Sequence, residues 1–410
     1  MKIAVPSFLC LAALTVLGAS SPTTKPEDVG LSSERLQRIN QMIQRRITAG
    51  EVAGAVTIVA RKGKVAHLSA QGMMDLASKQ PVTAGSIFRI ASMTKPIVGV
   101  AIMMMVEEGR LRLNDPVSRY IPEFREMKVG VARPGGGRGE VLAFYTVPAE
   151  REITLKDLLT HVSGLGSGPM SNGDIAKVAR KEGEKLSDYI PRLGTTALEF
   201  QPGSRWTYSP GAGFETLGRV VEIASGLPLD QFFRTRIFDP LGMKDITFWP
   251  SDAQWPRVAT VYAPGQNGLR KSPTPNDTMS RNVYFRGSGG LYSTAEDYIP
   301  VGMMLANGGE LNGKRLLSRK SVEMMSAVHV PDTMPGRAAG EGYGLSVRVV
   351  TDHAARGTML SDGTYGWTGA QGTHFFVDPQ EQLVGVLMVQ TSNPELRRDF
   401  EDLVAQSIID

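Results

Sequence analysis

Ser92-Met93-Thr94-Lys95 is the only Ser-x-x-Lys in the 410-residue sequence, and it is the pairing best able to do covalent chemistry. A serine hydroxyl is a weak nucleophile until a neighbouring base takes its proton, and a lysine three residues along a helix lies on the same face, within reach of it. Two fixed positions in four arise by chance roughly once in a chain of this length, so the context decides. Pro96 follows directly, inside the apolar run Ile97, Val98, Val100, Ala101, Met104 and Met105. Proline has no N–H and fits a helix only in its first turn. The helix is therefore expected to begin near Ala91 or Ser92. That puts Ser92 at the positive end of the helix dipole, where unpaired N–H groups can stabilise a developing oxyanion. A serine that merely caps a helix, with the lysine turned to water, has the same local pattern.

The elements that must position this pair come from both ends of the chain. Ser32 or Ser33 can cap an amphipathic helix to about Ile47, with Leu36, Ile39, Ile43 and Ile47 at helical spacing. Strands are expected over Ala53 to Ala60 and Val65 to Ala70, turned by Arg61-Lys62-Gly63-Lys64. Tyr343 to Val350, Thr373 to Val377 and Leu383 to Gln390 are β-rich, with Asp378-Pro379-Gln380 as a turn, and a helix from Pro394 to about Ile409 closes the chain. In the middle, helices are expected through Ile97 to Glu108 and Phe214 to Ala224, ended by Gly109 and Gly226. Arg133 to Gly139 and Gly164 to Gly173 read as long loops. The first is no phosphate cradle, because no Lys-Ser or Lys-Thr pair follows it at a helix start. This order predicts an α/β (α+β) fold, with one antiparallel sheet built from N- and C-terminal strands, flanked by helices, around an inserted, mostly helical region.

Further phrases stand in order along the chain. Tyr208-Ser209-Pro210 and Trp367-Thr368-Gly369 follow the Ser-x-x-Lys, and Leu158 to Leu165, Gln201-Pro202-Gly203 and Gly289 to Thr294 lie between or beside them. Together these resemble the three ordered motifs of the serine β-lactamase and penicillin-binding-protein superfamily, class C β-lactamase-like, and the likeness covers nearly the whole chain after the N-terminal segment. The resemblance implies a β-lactamase/transpeptidase-like fold, with residues 21–95 and 281–410 forming an α/β domain, residues 96–280 a mostly helical one, and the active site at their junction. It also implies that Ser92 is the acylated nucleophile, that Lys95 and Tyr208 handle its proton, and that the backbone N–H groups of Ser92 and Ala370 form the oxyanion hole. Lysine titrates unperturbed at about 10.4 and tyrosine at about 10, so one of them must be depressed to act as a base near neutrality. Which one is depressed stays open, and the role is assigned to the pair.

Two departures from the motifs bear on substrate. Pro210 stands where many β-lactamases carry an asparagine that can hydrogen-bond an acylamino group, and it has no side-chain donor or acceptor. Trp367 stands where the third motif usually opens with a lysine that holds a substrate carboxylate, and losing a charged hydrogen bond removes about 1.5–3 kcal/mol. With Thr368 and Gly369, Trp367 offers an apolar wall suited to an uncharged acyl or alcohol group. This combination is similar to that of the family VIII carboxylesterases and implies hydrolysis of short-chain carboxylic esters. β-Lactamase, D-amino-acid peptidase and acyltransferase activities share the mechanism, and a penicillin- or acyl-binding sensor would share the fold. There is no Gly-x-Ser-x-Gly elbow of an α/β-hydrolase.

His161 is expected to be a structural hydrogen-bonding residue at a helix end. His67 and His374 lie in strand-like segments, and His329 and His353 in loops. No pair has helix-type metal spacing, so no metal or other cofactor is expected. The formal charge of +4 comes from basic residues scattered among acidic ones, which gives no footprint for nucleic acid; the expected partner is a small-molecule ester. Lys2, the apolar stretch Ile3 to Leu17 and the small residues Gly18 to Ser21 read as a signal peptide over residues 1–20. This predicts export to the periplasm or medium, with no stable membrane span after its removal. Cys10, the sole cysteine, lies inside it, so the mature chain would have no thiol for catalysis or disulfides.

Overall fold

The computed structural model describes residues 24–133, 143–266, 268–273 and 283–410. The expected signal segment, Cys10 and most of the Arg133 to Gly139 loop lie outside the described residues. Eight strands form one sheet: β1 (Gly54–Arg61), β2 (Lys64–Asp75), β3 (Gln80–Pro81), β4 (Glu341–Tyr343), β5 (Arg348–Val350), β6 (Tyr365–Thr368), β7 (His374–Asp378) and β8 (Leu383–Val389). Their spatial order is β4-β5-β6-β7-β8-β1-β2-β3, every neighbouring pair is antiparallel, and the two chain ends meet where Thr57 pairs with Leu387.

Both faces of the sheet are covered, and for that reason β1 is buried along its whole length. Side chains alternate between faces. Val56 and Ile58 enter the larger core with helices α2 (Thr94–Glu107) and α5 (Ala295–Ala306), whereas Ala55 and Val59 enter a second core with α1 (Ser33–Thr48) and α6 (Pro394–Ala405). Between α2 and α5 lie α3 (Leu155–Leu159), α4 (Ala212–Ser225), shorter helices and a small sheet of Lys128–Ala132, Phe144–Pro148 and Ala197–Leu198. Among the described residues no helix is long and apolar enough to cross a membrane.

Most local expectations match the observed elements. The Ser32 hydroxyl caps α1 by accepting from the Arg35 N–H at 3.2 Å. Lys62 and Gly63 both have positive φ, 50° and 73°, the geometry of a tight hairpin turn. Asp378 accepts from the Gln380 N–H at 3.1 Å in the later turn.

Four expectations need correction. Tyr343 to Val350 is not one strand but two, because Ser346 sits at φ 69° in a turn closed by the Gly344 N–H on the Val347 carbonyl (2.8 Å). The turn is buried against the Leu159 and Met325 carbonyls, so its apolar residues look like strand. The expected Gly164 to Gly173 loop is cut short by a helix, Pro169–Lys177, with proline in its first turn. The last helix stops at Ala405, after which Ile408 bridges back to Leu31. His353 opens a short helix, His353–Arg356, capped by Asp352, instead of lying in a loop.

Candidate active site

Ser92 lies in a 3-10 turn, Ala91–Met93, that runs into α2 at Thr94, so Pro96 does fall in the first α-helical turn. Ala91 is held at φ 44°, a conformation uncommon for a residue with a Cβ and found where surrounding structure over-determines it. The Ile90 N–H donates to the Leu291 carbonyl (3.1 Å) and the Leu291 N–H donates to Thr94 Oγ1 (3.3 Å), which ties the turn to the Gly289 to Thr294 phrase. Thr294 then caps α5 by accepting from the Asp297 N–H at 3.0 Å.

The predicted trio is assembled. Tyr208 Oη donates to Ser92 Oγ at 2.6 Å, and Lys95 Nζ lies 3.1 Å from the same oxygen. Lys95 is fully buried and also donates to the carbonyls of Pro210 (2.9 Å) and Ser288 (2.7 Å). Pro210, lacking a side-chain donor, thus contributes a backbone acceptor. Burial pushes the Lys95 ammonium down to about 7, with Glu215 opposing and Arg286 reinforcing the shift. Burial pushes the Tyr208 phenol up, the Ser92 contact opposing. A neutral amine here can still donate to both carbonyls while accepting the Ser92 proton, whereas a tyrosinate is disfavoured.

Tyr208 owes its place to His161. The Thr207 N–H donates to the His161 carbonyl (3.2 Å) and the Ser209 N–H to His161 Nδ1 (3.2 Å), so one residue grips the backbone on both sides of Tyr208. His161 is buried just beyond α3, at φ 59°, and burial holds it well below its ordinary value, hence neutral. Its position matches the structural part expected of it.

Gly369 brings the third motif to the serine. A Cβ there would strike the Ile90 carbonyl and the Thr373 hydroxyl, so only glycine lets the end of β6 pass so close to the Ser92 turn. Ala370 then lines one cavity of about 250 Å³ together with Ser92 and Pro210. Trp367 and Thr368 do not line that cavity. They face a second one, of about 460 Å³, shared with Arg337, Arg348, Arg356 and Arg397. The Trp367 ring packs 5.6 Å from Tyr208 and 5.2 Å from Tyr343, between centroids.

Glu215 and Ser288 are site residues that the sequence reading leaves out. Glu215 is buried in α4, accepts from Ser288 Oγ at 2.8 Å and from the Tyr284 hydroxyl, and lies 3.6 Å from Arg286 Nε. It thereby fixes the segment whose Ser288 carbonyl receives Lys95. The sequence carries no clear signal for it, because Glu215 and Arg219 stand four apart, the spacing of a solvated ion pair on a helix face.

A serine hydroxyl shared between a buried lysine and a tyrosine, on an antiparallel sheet flanked by helices, defines a serine hydrolase, and the comparisons with known proteins agree. The chain belongs to the Beta-lactamase family, whose model matches residues 39–408. It is 34% identical to Protein Rv1367c of Mycobacterium tuberculosis, over 87% of this chain and 90% of that one. It is 30% identical to Esterase EstB of Burkholderia gladioli, again over 87% and 90%. Among solved structures it is similar to EstCE1, described as a hydrolase with promiscuous acyltransferase activity, with a TM-score of 0.76 at 25% identity over 92% of this chain and 99% of that one.

Proposed function

We propose that this protein is a carboxylesterase that hydrolyses small, uncharged carboxylic esters through an acyl-enzyme on Ser92. The observation that carries the proposal is the pair of contacts on Ser92 Oγ, one from a lysine that burial brings to about 7 and one from Tyr208. Lys95 takes the Ser92 proton as Oγ attacks the ester carbon. The N–H groups of Ser92 and Ala370 receive the oxyanion, and Tyr208 delivers its proton to the departing alcohol while the Lys95 ammonium passes the Ser92 proton to Tyr208, so both groups end as they began. Water then repeats the sequence and frees the acid. Trp367 in place of a lysine, and Pro210 with no side-chain donor, support esters over carboxylate-bearing β-lactams or peptides. The similarity to EstB supports the same choice, and that to EstCE1 supports a second reading, transfer of the acyl group to an added alcohol. The N-terminal apolar stretch supports export, which N-terminal sequencing of protein recovered outside the cytoplasm would check.

The deciding experiment runs a 4-nitrophenyl ester, a chromogenic cephalosporin and a D-Ala-D-Ala peptide in parallel, with Ser92→Ala beside the wild type. We expect ester turnover to dominate and the variant to lose about 10⁶-fold in kcat, with unchanged circular dichroism. Near wild-type turnover by folded Ser92→Ala would rule out the assignment.

A further inference from the structure

The cavity holding Ser92 and Ala370 is walled by two series of touching rings. Phe248 stacks on Phe233 (5.7 Å between centroids) and meets Phe285 (5.4 Å). Trp249 meets Trp255 edge-on (5.2 Å), which in turn meets Tyr292 (5.9 Å). Rings braced in this way present faces and edges that lose little freedom when a ligand arrives. Among the described residues the two cations at the wall are already engaged: the Arg89 guanidinium lies 5.0 Å over the Tyr292 ring, and Arg286 lies 3.6 Å from Glu215. At about 250 Å³ the cavity is below the usual range of about 300–1,000 Å³ for ligand pockets, which suits one compact group better than a long chain.

Chemistry decides which half of an ester enters. The departing alkoxide must meet the proton donor, and Tyr208, hydrogen-bonded to Ser92 Oγ, does not line this cavity; it packs against Trp367, which faces the other one. The alcohol therefore leaves on the Tyr208 side, and the aromatic cavity is left for the acyl group. We propose that this cavity is the acyl pocket and that it selects acyl groups ending in a flat ring, arylalkanoyl esters, over linear acyl groups with the same number of carbons. The inference rests on the esterase reading. Ser92 Oγ bonds to the acyl carbon, the bond from that carbon to the alcohol oxygen breaks, and the alcohol carries off the proton that Ser92 gave up. Water then adds to the acyl-enzyme and releases the arylalkanoic acid.

The test compares kcat/KM for 4-nitrophenyl 3-phenylpropanoate and 4-nitrophenyl nonanoate, both nine-carbon unconjugated acyl groups, each divided by its own rate of alkaline hydrolysis. One ring contact is worth about two- to tenfold, so a cavity with several should favour the phenylpropanoate by about tenfold or more. Phe285→Leu and Trp249→Leu should each reduce that ratio about threefold, provided the variant melts cooperatively. Moving the ring to the alcohol, as 2-phenylethyl acetate against octyl acetate, should give no preference. Equal or lower activity on the phenylpropanoate, or a ring preference on the alcohol side that Phe285→Leu abolishes, overturns the proposal. If both nine-carbon esters and 4-nitrophenyl acetate are hydrolysed without ring preference, this inference alone fails; if none is hydrolysed, the esterase reading fails with it. The wild-type series is decisive even if neither variant folds.

Discussion

The cavity that holds Ser92 and the one that Trp367 faces handle buried charge in opposite ways. Beside the serine, Lys95 is removed from water with two carbonyls and a hydroxyl for company, and burial outweighs the opposing charge of Glu215, which bonds to Ser288 and not to the lysine, so the lysine is pushed down to about 7. In the second cavity, Glu401 is buried to a similar degree but accepts from Arg348 (2.9 Å) and Arg356 (2.8 Å), with His374 Nε2 at 2.9 Å. Burial would push that carboxyl up, but Arg348, His374 and Arg356 outweigh it and hold Glu401 well below the ordinary carboxylate range. Glu341 joins the network through Arg356 (2.8 Å). A charge left without an opposite partner becomes a group that can change protonation near neutrality, and one that is paired stays fixed. The first arrangement suits proton transfer; the second joins β5 and the His353–Arg356 helix to α6.

The largest expected effect breaks the reactive side of this comparison. Lys95→Ala and Tyr208→Phe should each lower kcat by about 10³-fold or more, and the double variant should lose far less than the product, because groups that act as a unit are non-additive. A double-mutant cycle measures this, and strict additivity would show that the two residues act in separate steps.

On the paired side, Glu401→Gln removes the more deeply buried of the two carboxylates that Arg348 and Arg356 share, leaving them Glu341 at 3.5 and 2.8 Å. It should cost about 3–5 kcal/mol, read as a lower denaturation midpoint. A midpoint within experimental error of wild type would mean that the network does not hold the fold.

Trp367 stands between the two environments, and Trp367→Lys puts a cation where Tyr208 and the second cavity meet. The specificity constant for uncharged esters should fall about tenfold, while a cephalosporin gains relative to them. If the ratio of the two substrates is unchanged, Trp367 serves packing alone.

The smallest effect concerns the carboxylate that tempers Lys95. The base form of Lys95 is unprotonated, so kcat/KM should rise with pH through about 7. Glu215 favours the ammonium, so Glu215→Gln should move that rise to lower pH. A shift to higher pH, or none, would mean that Glu215 acts only by holding Ser288.

Local sequence settled a good deal. Ser-x-x-Lys followed by proline set the start of α2 and the reach of Lys95 to Ser92, because helical spacing and a missing N–H leave few alternatives. β-rich composition bounded by turn residues likewise set β1, β2, β7 and β8. The order of motifs carried the family and the antiparallel sheet. What local pattern could not supply was the company each residue keeps across the chain. The turn at Ser346 was hidden because burial makes turn residues as apolar as strand residues. Glu215 was hidden because its partners Ser288 and Tyr284 lie about 70 residues away, at separations of 73 and 69. Trp367 was read as an apolar wall for an uncharged acyl or alcohol group, and only the tertiary structure shows it packed on Tyr208 and facing the second cavity. Whether lysine or tyrosine is depressed was equally undecidable from the motif. A pKa depends on desolvation and on charges brought together by folding, and those are properties of the packed molecule, not of four residues in a row.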